Sequence, residues 1–306
     1  MKRTALILLA LSLVACQNVR RAPSPAAGAA TPPAAQGVFD NHAQVWQSRE
    51  SSPGAAQPPH VVVAIEPTNQ PDWALWRVQL DASPPIEALW AMHSVTQADG
   101  ALAFVPHRRL VATPAVAPAF DPAQWAALDA CTLRTPSRAS TASTDVAACA
   151  AIVPGIGADA ALLPLAIERD GEWLHVRFYA DQARGADARE DLRLVRWFTG
   201  WAAINGGGPK ADAASRDWHM DRTLRIGSEG GRYPLKWRDG NASGYSLVLE
   251  RLTYREGNVP VLKLSVVADA DASTLAYAWA NPEATRIGIN LGWVQVGLDL
   301  ESAPTK

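Results

Sequence analysis

In the stretch Trp173-Leu174-His175-Val176-Arg177-Phe178-Tyr179, Leu174, Val176 and Phe178 fall on one side of an extended chain and Trp173, His175, Arg177 and Tyr179 on the other. A helix would scatter the two classes around its circumference, whereas a pleated strand separates them. The same period of two recurs elsewhere. Trp76, Val78 and Leu80 oppose Arg77, Gln79 and Asp81; Trp218, Met220, Leu224 and Ile226 oppose His219, Asp221, Thr223 and Arg225; Tyr233, Leu235 and Trp237 oppose Arg232, Lys236 and Arg238. Further strands are expected over 60–66, 87–96, 101–105, 245–254, 259–267, 274–279 and 286–298. Asp99-Gly100, Asp170-Gly171 and Asp239-Gly240 lie between these runs, where a reversing chain needs residues that tolerate positive φ.

Helical signals are few. Residues 121–129 are expected to form a helix with Asp121 as N-cap and Pro122 in its first position. Residues 190–202 also carry a helical stripe of Leu192, Val195, Phe198 and Trp201, but are read as strand. Many meandering strands without a βαβ rhythm indicate an all-β fold, either an up-and-down barrel or a sandwich. The expected architecture is an antiparallel, lipocalin-like β-barrel with additional C-terminal β-strands, since closure removes exposed strand edges and leaves room for a ligand. The Asn205-Gly206-Gly207-Gly208-Pro209 run is the expected boundary. It gives a barrel domain over 37–204 and a C-terminal β-region over 205–306, either a second domain or the completion of the barrel.

With 48% apolar and 19% charged residues, the 306-residue chain can bury a sizeable core. Its formal charge of -2 supplies no overall basic field, so nucleic acid is not an expected partner. The 12 Trp outnumber the 5 Phe and 5 Tyr, and such broad rings need a deep core or a cavity to line.

The N-terminus is an address. Lys2 and Arg3 precede an uncharged, mainly apolar run over 4–14 that is too short to span a bilayer. Leu13-Val14-Ala15-Cys16 is similar to the lipobox of bacterial lipoproteins, which implies that residues 1–16 are a signal peptide with its lipobox cysteine and that Cys16 is acylated. Gln17 after the cysteine implies sorting to the outer membrane, with the body facing the periplasm. Residues 17–36, rich in Ala and Pro, read as a disordered linker reaching on the order of 50 Å. In an oxidising compartment Cys131 and Cys149 are expected to pair, two free thiols being the alternative. The bond would close a loop of about 19 residues and stabilise by roughly 3 kcal/mol in the chain-entropy model.

Gly37-Val38-Phe39-Asp40-Asn41-His42-Ala43-Gln44-Val45 resembles the opening motif of the CpcT/CpeT chromophore lyase family. Trp76 and Gln79 lie where that family has an aromatic residue and a Glu-Gln pair, and Pro84-Pro85 precedes the next strand. Residues 120–132 resemble the segment leading to the first family cysteine, and Cys131 and Cys149 fall where two family cysteines flank a loop. The likeness covers roughly residues 37–201. It implies a lipocalin-like barrel and, by extension, a bilin-type tetrapyrrole as cofactor. The chain departs from the family where Tyr-Arg-x-Arg is replaced by Pro85-Ile86-Glu87-Ala88-Leu89-Trp90 and where Val78 stands in place of a glutamate, which removes cationic partners for bilin propionates.

Seven residues are candidates to line a calyx: Asp40, Asn41, Gln44, Trp76, Gln79, Trp90 and Trp173. For the three polar N-terminal ones the alternative is local backbone hydrogen bonding at the first strand; for the tryptophans, with Trp237, it is core packing. Asp217, His219 and Asp221 share a polar strand face, and His107-Arg108-Arg109 is either an exposed basic turn or a local anion contact. No Gly-x-Ser-x-Gly elbow, phosphate loop, His-Glu-x-x-His or EF-hand pattern occurs, so the sequence marks no catalytic residue and no metal ligand. The leading expectation is an outer-membrane lipoprotein whose barrel binds a small amphipathic ligand. The alternatives are a lyase that positions a tetrapyrrole for thioether formation on a partner cysteine, and a non-catalytic envelope scaffold that contacts another protein through its C-terminal β-region. A hollow barrel lined by Trp and Arg favours the first two; a barrel filled by side chains favours the third.

Overall fold

The computed structural model describes residues 36–110, 119–136, 141–212, 214–254 and 259–302. Cys16, the signal segment and the linker through residue 35 lie outside the described residues. The N-terminal half runs β1 (Gly37–Asp40), α1 (His42–Ser51), β2 (His60–Pro67), β3 (Trp73–Asp81), β4 (Ile86–Thr96), β5 (Leu102–Arg109), β6 (Trp125–Ala127), β7 (Leu133–Arg134), β8 (Thr141–Ser143), α2 (Val146–Ile152), β9 (Pro164–Asp170), β10 (Trp173–Phe178) and β11 (Glu190–Leu194). The C-terminal half adds β12 (Trp197–Asn205), β13 (Trp218–Gly227), β14 (Glu229–Lys236), β15 (Ala242–Tyr254), β16 (Val259–Ala268), β17 (Thr274–Ala280), β18 (Arg286–Asn290) and β19 (Val294–Leu300).

Ten of the first eleven strands make a closed antiparallel barrel. Around its wall lie β1, β2, β3, β4, β5, β7, β8, β9, β10 and β11, and β11 pairs back onto β1. β6 is a short appendage on the end of β5. Neighbours in space are nearly all neighbours in sequence, as hairpin connections dictate. Asp170-Gly171 joins β9 to β10 with Gly171 at φ 55°, and the other two Asp-Gly pairs join β4 to β5 and β14 to β15. The weakest seam is at β7 and β8, two and three residues long. There the Cys131–Cys149 disulfide ties the segment before β7 to α2 after β8.

The second half is a sandwich. One sheet has the order β13-β12-β19-β18 and the other β14-β15-β16-β17. Their inner faces meet through Phe198, Ile204, Leu224, Ile226, Leu247, Leu249, Leu262, Leu264, Val294 and Leu298. Barrel and sandwich, alternatives in the sequence, therefore both occur. The passage between the two cores falls at Val195-Arg196, between β11 and β12, which divides the single strand expected over 190–202. The Gly206-Gly207-Gly208 run, expected as the boundary, is instead the turn region between β12 and β13.

Two local expectations are corrected. The helix expected over 121–129 begins as read, with Asp121 accepting from the Ala123 N–H, but ends after the 3₁₀ turn Pro122–Gln124 because Trp125 joins β6. In β13 the register passes from Leu224 opposite Gly200 to Asp221 opposite Ala202, so two residues of β13, Arg222 and Thr223, face one of β12, Trp201. This bulge reverses the faces beyond it. Met220 is turned to solvent, and Asp221 moves to the side of Tyr233, whose hydroxyl donates to it.

The barrel interior is solid. Phe39, Val63, Trp76, Val78, Phe104, Leu133, Leu174, Val176 and Leu192 are each 0% exposed within one contiguous cluster. A calyx wall would be touched by internal water, so no water-sized space adjoins these side chains. The two interior indoles differ in their polar ends. Trp90 Nε1 donates to the Leu162 carbonyl at 3.0 Å, whereas Trp76 Nε1 has no hydrogen-bond partner among the described residues. Replacing Trp90 by Phe orphans a buried carbonyl; replacing Trp76 by Phe removes an orphaned donor. Urea denaturation is expected to show Trp90→Phe costing more than Trp76→Phe by about 1–3 kcal/mol, and equal costs would refute this reading.

Candidate functional site

The passage from strand to helix falls at Asp40 and Asn41, where β1 stops and α1 starts. Asp40 Oδ1 accepts from the His42 N–H at 2.7 Å and bonds His60 Nε2 at 2.8 Å, and this carboxylate raises the His60 pKa. Asn41 is fully buried. Its Oδ1 accepts from the Val61 N–H at 2.8 Å, and its Nδ2 reaches Glu190 Oε2 at 2.7 Å and the Pro59 carbonyl at 2.8 Å. Gln44 Oε1 accepts from the Asp191 N–H at 3.1 Å while its Nε2 donates to the Arg189 carbonyl at 3.0 Å. These three candidates are thus brought together, and their polar atoms clamp α1 onto β2 and β11.

The other four candidates lie elsewhere. Trp76 and Trp90 are cross-strand partners inside the packed barrel. Gln79 is on the outer wall, donating to Glu87 beside Arg77. Trp173, also on the outside, carries the Arg193 guanidinium 5.2 Å from its ring centre. Trp237 packs against the sandwich core. His107, Arg108 and Arg109 form the end of β5 rather than a free turn: His107 Nδ1 bonds the Val105 carbonyl, Arg108 donates to the Gly155 carbonyl, and Arg109 lies over Trp125. Asp217 pairs with Arg238.

Where barrel meets sandwich, three charged side chains leave water together. Glu229, in the corner where β13 turns into β14, accepts from Arg193 of β11 at 2.7 Å and from Arg251 of β15 at 2.6 Å. Arg251, 1% exposed, also reaches Glu172 Oε2 of the β9–β10 hairpin at 2.7 Å and the Leu194 carbonyl at 2.5 Å. The corner needs glycine: at Gly230, with φ 73°, a Cβ would stand 2.5 Å from His42 Nδ1, so the helix could not seat its first side chain.

From that junction an aromatic strip crosses the outer face of the second sandwich sheet. His42 Nε2 bonds Glu250 at 3.0 Å, and Glu250, Lys263 and Trp279 occupy adjacent positions on β15, β16 and β17. Burial opposes the charge on Glu250, but the hydrogen bond from His42 and the nearby Lys263 ammonium hold its pKa below the ordinary value. Ring centres are 5.3 Å apart for Trp46 and Tyr254, 5.5 Å for Tyr254 and Trp279, and 5.2 Å for Trp279 and Tyr277, the last two stacked at 24°. Lys263 Nζ lies 5.8 Å from the Tyr277 ring centre. Trp279 is 56% and Tyr277 54% exposed, with Leu275 and Val259 similarly open beside them. Sequence reasoning placed a strand here but missed the face. The available signal is the Leu275-Ala276-Tyr277-Ala278-Trp279-Ala280 alternation, in which the alanines fill the inner side. No family model, curated protein or solved structure matches the chain.

Two measurements probe the junction. Glu229→Ala strands two buried guanidinium groups and is expected to cost about 3–5 kcal/mol in denaturant melts, whereas Glu301→Ala, which breaks the exposed pair with Arg225, costs under about 0.5 kcal/mol. Glu190 is held by Asn41 and Arg184, and burial pushes its carboxyl up to about 7. The native state therefore holds a proton that the unfolded chain releases, so this group's contribution falls as pH rises from 4.5 to about 7. Over that window the wild type is expected to lose ~3 kcal/mol more stability than Glu190→Gln; parallel pH profiles would disprove it.

Proposed function

We propose that this protein is a lipid-anchored, non-catalytic contact protein of the bacterial envelope. Its barrel is a solid support, and the Trp46–Tyr254–Trp279–Tyr277 strip is the face it offers to another protein. The observation that carries the reading is the division of the aromatic residues. Rings inside the barrel are sealed from solvent, and the two most open aromatic side chains, Tyr277 and Trp279, stand together on one outer sheet face, Trp201 of β12 being less exposed on the other sheet. A tetrapyrrole or other amphipathic guest needs space among Trp76, Trp90 and their neighbours, which side chains already fill. An outward apolar patch is the usual mark of a protein contact, and Trp and Tyr dominate the binding energy of such contacts. The anchor in this proposal is the acylated Cys16, with the body in the periplasm at the outer membrane.

The reading is tested on the full chain in cells. A photoreactive amino acid at position 279 is expected to give protein cross-links in the membrane fraction, the same probe at Gln79 none, and Cys16→Ser is expected to move the cross-linked species to the soluble fraction. Native mass spectrometry of the purified chain that finds a stoichiometric small molecule, together with no cross-links at position 279, would restore the carrier reading and end this one.

A further inference from the structure

On the outer wall of the barrel one guanidinium is left without a mate. Arg177 of β10 is half-buried, its Nε is closed off with no hydrogen-bond partner, and among the described residues no carboxylate or carbonyl meets its Nη groups. The arginines that follow it behave otherwise: Arg184, Arg189, Arg193 and Arg196 each engage a carboxylate. A charged group with one edge shut away from water relies on its open edge for solvation. The register makes room at that edge. Arg177 stands opposite Ala166 of β9, and Ala166 opposite Ser143 of β8, so the wall beside the guanidinium falls to a methyl group. The surroundings are fixed in place. His175 stands opposite Glu168, and its Nδ1 is held by Asp191 at 2.5 Å. Residues 186–189, which lead into β11, close the other side: the Arg189 carbonyl accepts from Gln44 at 3.0 Å, and its guanidinium pairs with Asp191 at 3.0 Å and Glu168 at 3.7 Å. Together these groups line an open cavity of about 470 Å³, with Arg177, Ala166, Glu168, His175, Asp187 and Arg189 on its walls.

We infer that this cavity binds a small molecule carrying a single carboxylate, which Arg177 takes in its fork. A planar guanidinium offers two parallel N–H donors at the spacing of carboxylate oxygens, and here no protein oxygen competes for them. The lining charges set the number of negative groups at one. Arg189 is already matched by Asp191 and Glu168, and Asp187 adds a further carboxylate to the rim, so a doubly charged phosphate or a dicarboxylate would leave its second charge facing acids. Ala166 forms a floor over which a short apolar tail can lie, and the volume is that of a small-molecule site. The cavity shares no residue with the aromatic strip, so it stands or falls apart from the contact role.

The test is ligand-observed saturation-transfer NMR on the full chain in mild detergent, titrated with propionate at millimolar concentrations. Saturating transfer to propionate is expected for the wild type. Arg177→Gln, which removes the charge, is expected to weaken binding roughly 10-fold or more, and Arg177→Lys, which keeps the charge without the fork, to fall between the two. Ala166→Leu fills the floor without altering the guanidinium and should abolish binding. The two positions lie on different strands, so if thermal melts show one variant to be misfolded the other still decides. Inorganic phosphate at the same concentration is expected to leave propionate in place. No transfer to propionate with the wild type, binding that survives Arg177→Gln or Ala166→Leu, or displacement by phosphate overturns the inference. Cross-linking at position 279 is expected to be unchanged in these variants.

Discussion

A carboxylate taken out of water must be matched by cations that left water with it, and the arrangement of this molecule turns on Glu229 meeting that condition. Isolated burial of one ion is prohibitive, and a pair helps only when the remaining donors and acceptors are satisfied. Here Arg193 comes from the last barrel strand, Arg251 from the centre of a sandwich sheet, and Glu229 from the corner between the two sandwich sheets. Surplus guanidinium donors are used on the Leu194 and Arg251 carbonyls and on Glu172. Each charge is tolerable only where the other two stand, so the contact specifies one relative placement of barrel and sandwich. Apolar surface, which has no direction, would accept several.

The barrel contributes stiffness rather than space. Ten strands could enclose a cavity, but the inward positions carry Trp76, Trp90, Phe39, Phe104 and Phe178, and the 3₁₀ segment at Ala158–Leu162 inserts Leu162 from one end. Filling the interior with large rings consumes the volume that a guest would need. It also explains how short β7 and β8 persist in the wall: they are held by side-chain packing beneath them and by the adjoining disulfide, not by a long ladder.

Much of this was legible in the sequence because alternation and turn chemistry are local. Leu174, Val176 and Phe178 do face the core, the Asp-Gly pairs do reverse the chain, and Cys131 and Cys149 are bonded. What was not legible depends on distant partners. α1, His42-Ala43-Gln44-Val45-Trp46-Gln47-Ser48-Arg49-Glu50-Ser51, buries only Val45 and has no apolar stripe, since it bridges two bodies and is contacted on several sides through polar groups. The β13 bulge leaves no mark in composition, yet it reverses Met220 and Asp221. The β17 alternation was visible, but large rings are assigned to the core by default, and only the position of the strand at the sandwich edge decides otherwise. Asp40, Asn41 and Gln44 were recognisable as a polar cluster; that their partners include the His60 and Glu190 side chains and the Val61 and Asp191 N–H groups of β2 and β11 required the fold.

Those same polar residues link the two halves of the functional argument. Asp40 orients the start of α1, Asn41 and Gln44 fix it to the barrel, and His42 carries it to Glu250 on the sandwich, four residues before Trp46 meets Tyr254. The aromatic strip is therefore a composite surface: one ring comes from a helix clamped to the barrel, and the other three come from β15 and β17. Its continuity is inherited from the junction, because a rotation of the sandwich about Glu229 would carry Tyr254 and Trp279 away from Trp46. An exposed face assembled in this way is preorganised, and the ordering of its rings is already accomplished before a partner arrives.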